Sequence, residues 1–432
     1  MSNDAAGDAD TTPGAREPGW VEHAIWWHVY PLGLVGADTT GRDRTPAPRL
    51  DRLTRWLDHA VTLGVNGLAL GPVFDSATHG YDTVDHFDLD PRLGDDAAFD
   101  RLVTAAHDRG IRLMLDGVFN HVAAGFGHDD WLRRSRDGRP RTFEGHGALL
   151  ALDHDNPDVA DHVATVMTHW LDRGADAWRL DAAYAVPAEF WAAVLPRVRA
   201  AHPDVYVVGE MLHGDYADYV RRSGVDAVTQ YELWKAVWSS LSERNFFELD
   251  WTLRRHDGFL DTFVPWTFVG NHDVTRIASR IADARHRPHA AVLLLTLGGT
   301  PAVYYGDELG LQAVKEERAG GDDAIRPAFP DSPEAVPELG GDPDVLRVHQ
   351  EMIGLRRRHP WLHRARSEPV SLTNETLVLR LTGGPDDGVL VVALNLADEP
   401  LRVEHDGAPA AGTAERADGG WTVPGHGWVV LD

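Results

Sequence analysis

The chain of 432 residues has no cysteine and only two lysines, Lys235 and Lys315. Without cysteine there is no disulfide framework, and the redox compartment stays open. The shortage of lysine against arginine matches a GC-rich coding sequence rather than any chemistry. No apolar run is long enough to span a bilayer. The first twenty residues, rich in Asp, Ala, Thr and Gly, lack the basic start and apolar core of a signal peptide, so a cytoplasmic location is the expectation. Positive charge is also scarce: 41 basic residues stand against 67 acidic ones, a net charge of −26. A surface so negative argues against nucleic acid and anionic membrane as partners, whereas a neutral small-molecule substrate would not feel it. Oligomeric state is left open.

What is present is ordinary for a globular protein, with 43% hydrophobic and 25% charged residues. The fifteen tryptophans serve equally as core or as sugar-stacking platforms. Residues 1–19 show no apolar period and read as a disordered tail. From Ala24 onward, short apolar runs alternate with helical patterns. Strands are predicted at 24–31, 65–72, 111–119, 177–181, 205–210, 227–233, 263–270 and 302–306. Between the first two, Leu50, Leu53, Leu57 and Val61 recur at helical spacing and stop before Gly64. Later helices run through Phe99–Ala106, Val159–Trp170 and Val345–Leu355. Eight strands each followed by a helical stretch imply a parallel (β/α)8 barrel over 20–121 and 153–365. Residues 122–152 interrupt it after the third strand as a Gly-, Arg- and Asp-rich insertion. After 365 the pattern changes to strands at 375–381, 388–396 and 427–431, an antiparallel β domain over 366–432.

Barrels carry their chemistry at the C-terminal ends of the strands. Here those ends are polar: Tyr81 and Asp82 after the second, Asp116, Asn120 and His121 after the third, Arg179 and Asp181 on the fourth, Glu210 on the fifth, His272 and Asp273 after the seventh. Singly, Asp116 or His121 could cap a loop and Asp181 a helix. Jointly, so many charges at one rim would cost several kcal/mol with no functional return. Such a set suits glycoside cleavage, in which one carboxylate attacks the anomeric carbon and a second carboxylic acid protonates the leaving oxygen. Arg179 and Asp181 share one face of a strand, so the guanidinium is expected to keep Asp181 ionised. Glu210 follows an apolar strand, where desolvation favours a general acid.

The blocks DGVFNH (116–121), WRLDAAY (178–184), VGEM (208–211) and FVGNHD (268–273), in that order, resemble those of the α-amylase superfamily, glycoside hydrolase family 13. The resemblance covers residues 24 to 432 and is nearest in character to intracellular maltodextrin-degrading members. It implies a retaining hydrolase of α-1,4-linked glucans or malto-oligosaccharides with Asp181 as nucleophile, Glu210 as acid/base and Asp273 as transition-state stabiliser. Tyr81, Asp116, His121, Arg179 and His272 would bind substrate. The insertion would be a short domain B and the C-terminal strands domain C. Asn120 and Asp153 resemble two ligands of the family's calcium site, but the histidine expected near Ala185 is missing, so no cofactor is expected to be required. The starch-binding module that precedes the barrel in some relatives is missing from this sequence too. Ala182 stands where many α-1,6-specific members have valine, which favours α-1,4 bonds. A glucanotransferase or trehalose-forming enzyme of the same superfamily remains an alternative. So do a metal-dependent barrel hydrolase using Asp116, His121, Glu210 and His272, and a non-catalytic sugar-binding protein.

Overall fold

The computed structural model describes residues 17–318, 320–384 and 387–432. Eight parallel strands form its centre: β1 (Trp26–Val29), β2 (Gly67–Leu70), β3 (Arg112–Gly117), β4 (Ala177–Leu180), β5 (Tyr206–Gly209), β6 (Ala227–Val228), β7 (Trp266–Phe268) and β8 (Thr300–Tyr304). Neighbours run β6-β5-β4-β3-β2-β1-β8-β7, and a single parallel bridge, Thr229 to Trp266, closes the remaining seam. This is the predicted (β/α)8 barrel.

Local chemistry explains the intervening helices. Helix Asp96–His107 starts where the Asp95 carboxylate accepts the Ala98 N–H at 2.9 Å, and it buries Ala98, Phe99, Leu102, Val103 and Ala106 against the sheet. Helix Pro157–Asp172 is capped by Asn156, with proline at its first position. The six largest buried side chains are tryptophans (26, 27, 56, 170, 178 and 191), so much of the tryptophan excess is core.

Several boundaries differ from expectation for identifiable reasons. The sixth strand was expected to reach residue 233 but stops at Val228. Gln230 turns its side-chain oxygen onto the N–H groups of Glu232 and Leu233 and starts helix Tyr231–Glu243. The eighth begins two residues earlier than expected, at Thr300. The first helical stretch breaks at Trp56 into Leu50–Arg55 and Leu57–Leu63, which turns Val61 outward to 48% exposure. Of the expected N-terminal tail, residues 1–16 lie outside the described residues. Glu17 does not behave as tail: it is largely buried, pairs with His363 at 3.0 Å and also meets Arg364. A short 3-10 turn, Gly19–His23, then leads into β1.

The insertion after β3 folds into a small antiparallel sheet of His121–Ala123, Thr142–Phe143 and His146–Ala151. The C-terminal part holds a five-stranded antiparallel sheet, Arg366–Leu372, Thr376–Thr382, Val389–Asn395, Trp428–Leu431 and Pro409–Gly412 in spatial order. A three-stranded sheet of Leu401–Val403, Gly420–Val423 and Glu415–Ala417 lies beside it. Five of these eight strands had no sequence signal beyond Gly, Pro and Asp turns.

Candidate active site

Strand register assembles the floor of the site. Asp116 on β3 stands beside Arg179 on β4, and Arg179 stands beside Val208 on β5. Parallel partners project to the same side, so the Asp116 carboxylate and the Arg179 guanidinium meet inside the barrel mouth. Arg179 Nη1 donates to both Asp116 oxygens at 2.7 and 2.6 Å and to Asp181 Oδ1 at 3.2 Å. Its Nη2 lies 2.7 Å from Glu210 Oε1. One arginine thus ties three carboxylates together, and all four residues are buried.

Arg179 was expected to keep Asp181 ionised. Instead it sits closest to Asp116 and Glu210, with Asp181 the most distant of the three. Burial and the neighbouring Glu210 charge outweigh Arg179 and push the Asp181 carboxyl well above the ordinary carboxylate range.

Glu210 is fixed from both oxygens. Tyr231 Oη donates to Oε1 at 3.1 Å, and the Ala182 backbone N–H donates to Oε2 at 2.9 Å. That N–H is available because Ala182 adopts a left-handed conformation (φ 46°, ψ 38°), which a residue with a Cβ reaches only at a cost of roughly 1–2 kcal/mol. Asn271 in turn donates to Tyr231 Oη at 2.8 Å.

Asp273 has the opposite electrostatics. Burial works against its charge, but His272 and Arg326, with Arg179 behind them, more than compensate and hold it far below the usual range. Arg326 Nη2 lies 3.0 Å from Oδ1, and His272 Nε2 lies 2.9 Å from Oδ2. Tyr81 stacks flat on His272 with ring centres 5.2 Å apart, and its hydroxyl contacts both His272 Nε2 and Asp116 Oδ2, the latter at 3.0 Å. His121 reaches the Tyr81 carbonyl at 3.0 Å and stacks under Phe143 from the insertion.

These groups border a cavity of about 640 Å³, large enough for a short oligosaccharide. Asp181, Glu210, Asp273, Tyr81 and His121 line it. Asp116, Arg179 and His272 do not. Asp116 and His272 are buried beneath Tyr81, which contacts both, and Arg179 lies beneath Asp181 and Glu210. No tryptophan is among the described lining residues. The walls add residues the sequence did not single out: Arg326 and Lys315 from the long loop after β8, and Tyr184, whose hydroxyl donates to Glu144 at 2.8 Å across the mouth. Glu144 also sits in a left-handed conformation, φ 48°.

The metal-hydrolase alternative does not fit this geometry. Arg179 fills the space between Asp116 and Glu210, and His121 Nε2 turns to a backbone carbonyl. At the calcium position, Asn120 Nδ2 meets His121 Nδ1 at 3.1 Å, and Asp153 accepts the Asp155 N–H at 3.4 Å.

A closed parallel barrel with three carboxylates at its strand ends defines a class of glycoside-cleaving enzymes. Within it, the family model "Alpha amylase, catalytic domain" matches residues 41–146 and 126–366. The chain belongs to the alpha-amylase family and is a glycoside hydrolase. It is 29% identical over 424 residues to a cyclomaltodextrinase of Bacillus sp, covering 88% of this chain and 74% of that protein. An intracellular maltogenic amylase of Bacillus subtilis (strain 168) is 26% identical, over 70% of this chain and 58% of its own length. Among solved structures, the cyclic alpha-maltosyl-(1→6)-maltose hydrolase from Arthrobacter globiformis superposes with a TM-score of 0.80 at 25% identity, covering 96% of this chain and 99% of that one. No helix among the described residues is long and apolar enough to cross a membrane.

Proposed function

We propose that this enzyme hydrolyses α-1,4 bonds of malto-oligosaccharides and related short glucans with retention, Asp181 attacking and Glu210 acting as acid/base. The observation that carries the reading is the division of labour among the three carboxylates at the cavity. Asp181 and Glu210 share Arg179, with burial and the Glu210 charge raising the Asp181 carboxyl, while His272 and Arg326 hold Asp273 far below the usual carboxylate range. The names of the relatives, cyclomaltodextrinase and maltogenic amylase, support the substrate class.

The chemistry follows from that division. Substrate entering the cavity brings the glycosidic oxygen to Glu210, which as the acid carries the proton the leaving oxygen needs. Asp181, as the carboxylate, attacks the anomeric carbon as the carbon–oxygen bond breaks, and the bonding electrons leave with the oxygen that Glu210 protonates. Asp273 favours the positive charge that develops on the ring. Glu210, now a base, takes a proton from water, which displaces Asp181 and regenerates the acid. No step requires a cofactor. A trehalose-forming or glucanotransferase outcome differs only in which hydroxyl accepts the glycosyl group.

Proton NMR of maltotriose and cyclodextrin digests over the first seconds, with and without EDTA, tests the reading. The α anomer should appear first, free sugars should accumulate without longer transfer products, and EDTA should leave the rate unchanged. First appearance of the β anomer would overturn retention, and dominant longer products would overturn hydrolysis. Collapse with EDTA and rescue by calcium would restore Asn120 and Asp153 as a working ion site.

A further inference from the structure

Where the barrel meets the C-terminal sheets, outside the catalytic cavity, three side chains converge that the reaction does not use. Asp283 and His286 lie at the two ends of the 3-10 turn just before helix Arg287–Thr296 on the barrel, and His426 lies in the turn before strand Trp428–Leu431. His286 Nε2 and His426 Nδ1 face each other at 2.9 Å, and Asp283 Oδ2 is 4.0 Å from His286 Nε2. All three donor atoms fit within 4.8 Å of one another, and among the described residues this is the only such group of His and Asp or Glu.

We propose that Asp283, His286 and His426 form a Zn²⁺ site that staples the barrel to the C-terminal sheets. Two imidazoles and a carboxylate are the donor set Zn²⁺ favours, and ligand atoms on one tetrahedral ion, each about 2.0–2.2 Å from it, stand roughly 3.3–3.5 Å apart. The three atoms bracket that spacing. The outer contacts set the correct tautomer: His426 Nε2 is 2.7 Å from Asp398 Oδ1, so this nitrogen carries the proton and Nδ1 keeps its lone pair for a metal. A carboxylate behind a ligating imidazole is the usual support of such sites. His286 is buried and His426 nearly so, whereas Asp283 is about one-third exposed, which gives the ion a way in and a water its fourth position. Arg285 holds Asp283 through both oxygens, at 3.0, 3.2 and 2.7 Å. A carboxylate has lone pairs left for a metal under that clamp, but the arginine's charge weakens the site. His426 lies at φ 59°, a conformation asparagine tolerates well, so His426→Asn removes the ligand without bending the turn.

Calorimetric titration of the full chain with Zn²⁺ tests the proposal, alongside thermal melts and the absorption spectrum of the Co²⁺-loaded protein. One equivalent should bind, Co²⁺ should give a tetrahedral spectrum, and a hundredfold excess of Zn²⁺ over Kd should raise Tm by about 3–5 °C. His426→Asn should abolish the Tm gain and the tetrahedral spectrum. Asp398→Asn should weaken binding by about tenfold, and Arg285→Ala should tighten it. All three variants should retain wild-type turnover at 25 °C, since none touches the cavity. Absence of saturable Zn²⁺ binding, or equal affinity in wild type and His426→Asn, would overturn it.

Discussion

The floor of the cavity and its walls are built on different principles. Floor residues sit on strands or directly at their ends: Asp116 on β3, Arg179 on β4, Asp181 just past β4 and Glu210 just past β5 are placed by strand register, and each is held by at least one neighbour from an adjacent strand or its loop. Wall residues sit on loops: Glu144 on the insertion, Tyr184 after β4, Lys315 and Arg326 beyond β8. Moving a floor residue means shifting a barrel strand, while a wall residue moves with its loop. Reaction chemistry therefore belongs to the rigid part and choice of substrate to the adaptable part.

That contrast breaks most visibly at the floor. Asp181→Asn and Glu210→Gln should each lower kcat by at least about 10⁴-fold in a maltotriose assay. Asp181→Asn should also be more stable than wild type. The Asp181 carboxyl is held above its ordinary range, so the folded protein binds that proton more tightly than the unfolded chain does. Stability is therefore lost as pH rises from the ordinary carboxylate range through the raised value. An uncharged amide escapes the loss, and Tm above pH 7 should rise by about 1–4 °C. Wild-type turnover in the purified variant, or a lower Tm with the fold intact, would place the strained charge elsewhere.

An intermediate effect is expected where wall meets floor. Arg326→Met removes the pairing that keeps Asp273 ionised and the support of the His272 carbonyl, 2.8 Å from Arg326 Nε. A loss of about 10²-fold in kcat/KM is expected. Arg326 lowers the Asp273 carboxyl, so its removal must raise it, and the acidic limb of the kcat/KM profile should move to higher pH. An unmoved limb would separate Asp273 from Arg326.

How much of this was legible in the sequence follows the same division. Strand ends could be read because a buried parallel strand is an apolar run, and a charge at its C-terminal end stands out. Asp116, Asp181, Glu210 and Asp273 were found that way. Arg326 and Glu144 could not be, because their loops have no period and Arg326 reaches back 53 residues to Asp273. The sixth strand was overextended because Tyr231 and Leu233 look apolar, while the cap at Gln230 that turns them into a helix depends on one side-chain oxygen. The strained backbone at Ala182 leaves no mark in the sequence.

Ala182 also sharpens the smallest prediction. Maltotriose should be preferred to isomaltotriose by about 10–100-fold in kcat/KM, the reach of one small pocket difference. Because many α-1,6-specific members carry valine here, the resemblance would have Ala182→Val move the ratio toward the 6-linked substrate. The left-handed backbone changes that expectation, because a β-branched side chain fits it poorly. Ala182→Val should instead lose activity on both substrates as its N–H swings away from Glu210, and Ala182→Gly should keep the wild-type ratio. A gain on isomaltotriose in Ala182→Val would show that the side chain, and not the backbone, governs linkage.

The seam between β6 and β7 has a consequence for how the enzyme fails under heat. Among the described residues only Thr229 and Trp266 bridge it, with the Gln230 N–H donating to the Trp266 carbonyl at 2.9 Å just beyond. Tyr231, which steadies Glu210, is the next residue along the chain. The acid/base thus leans on the part of the barrel with the fewest interstrand bonds, where partial opening needs the least energy. Opening of that seam would uncouple Tyr231 from Glu210 while the other seams hold, so activity is expected to be lost at a lower temperature than the cooperative melt of the barrel, which parallel inactivation and circular-dichroism melts would check.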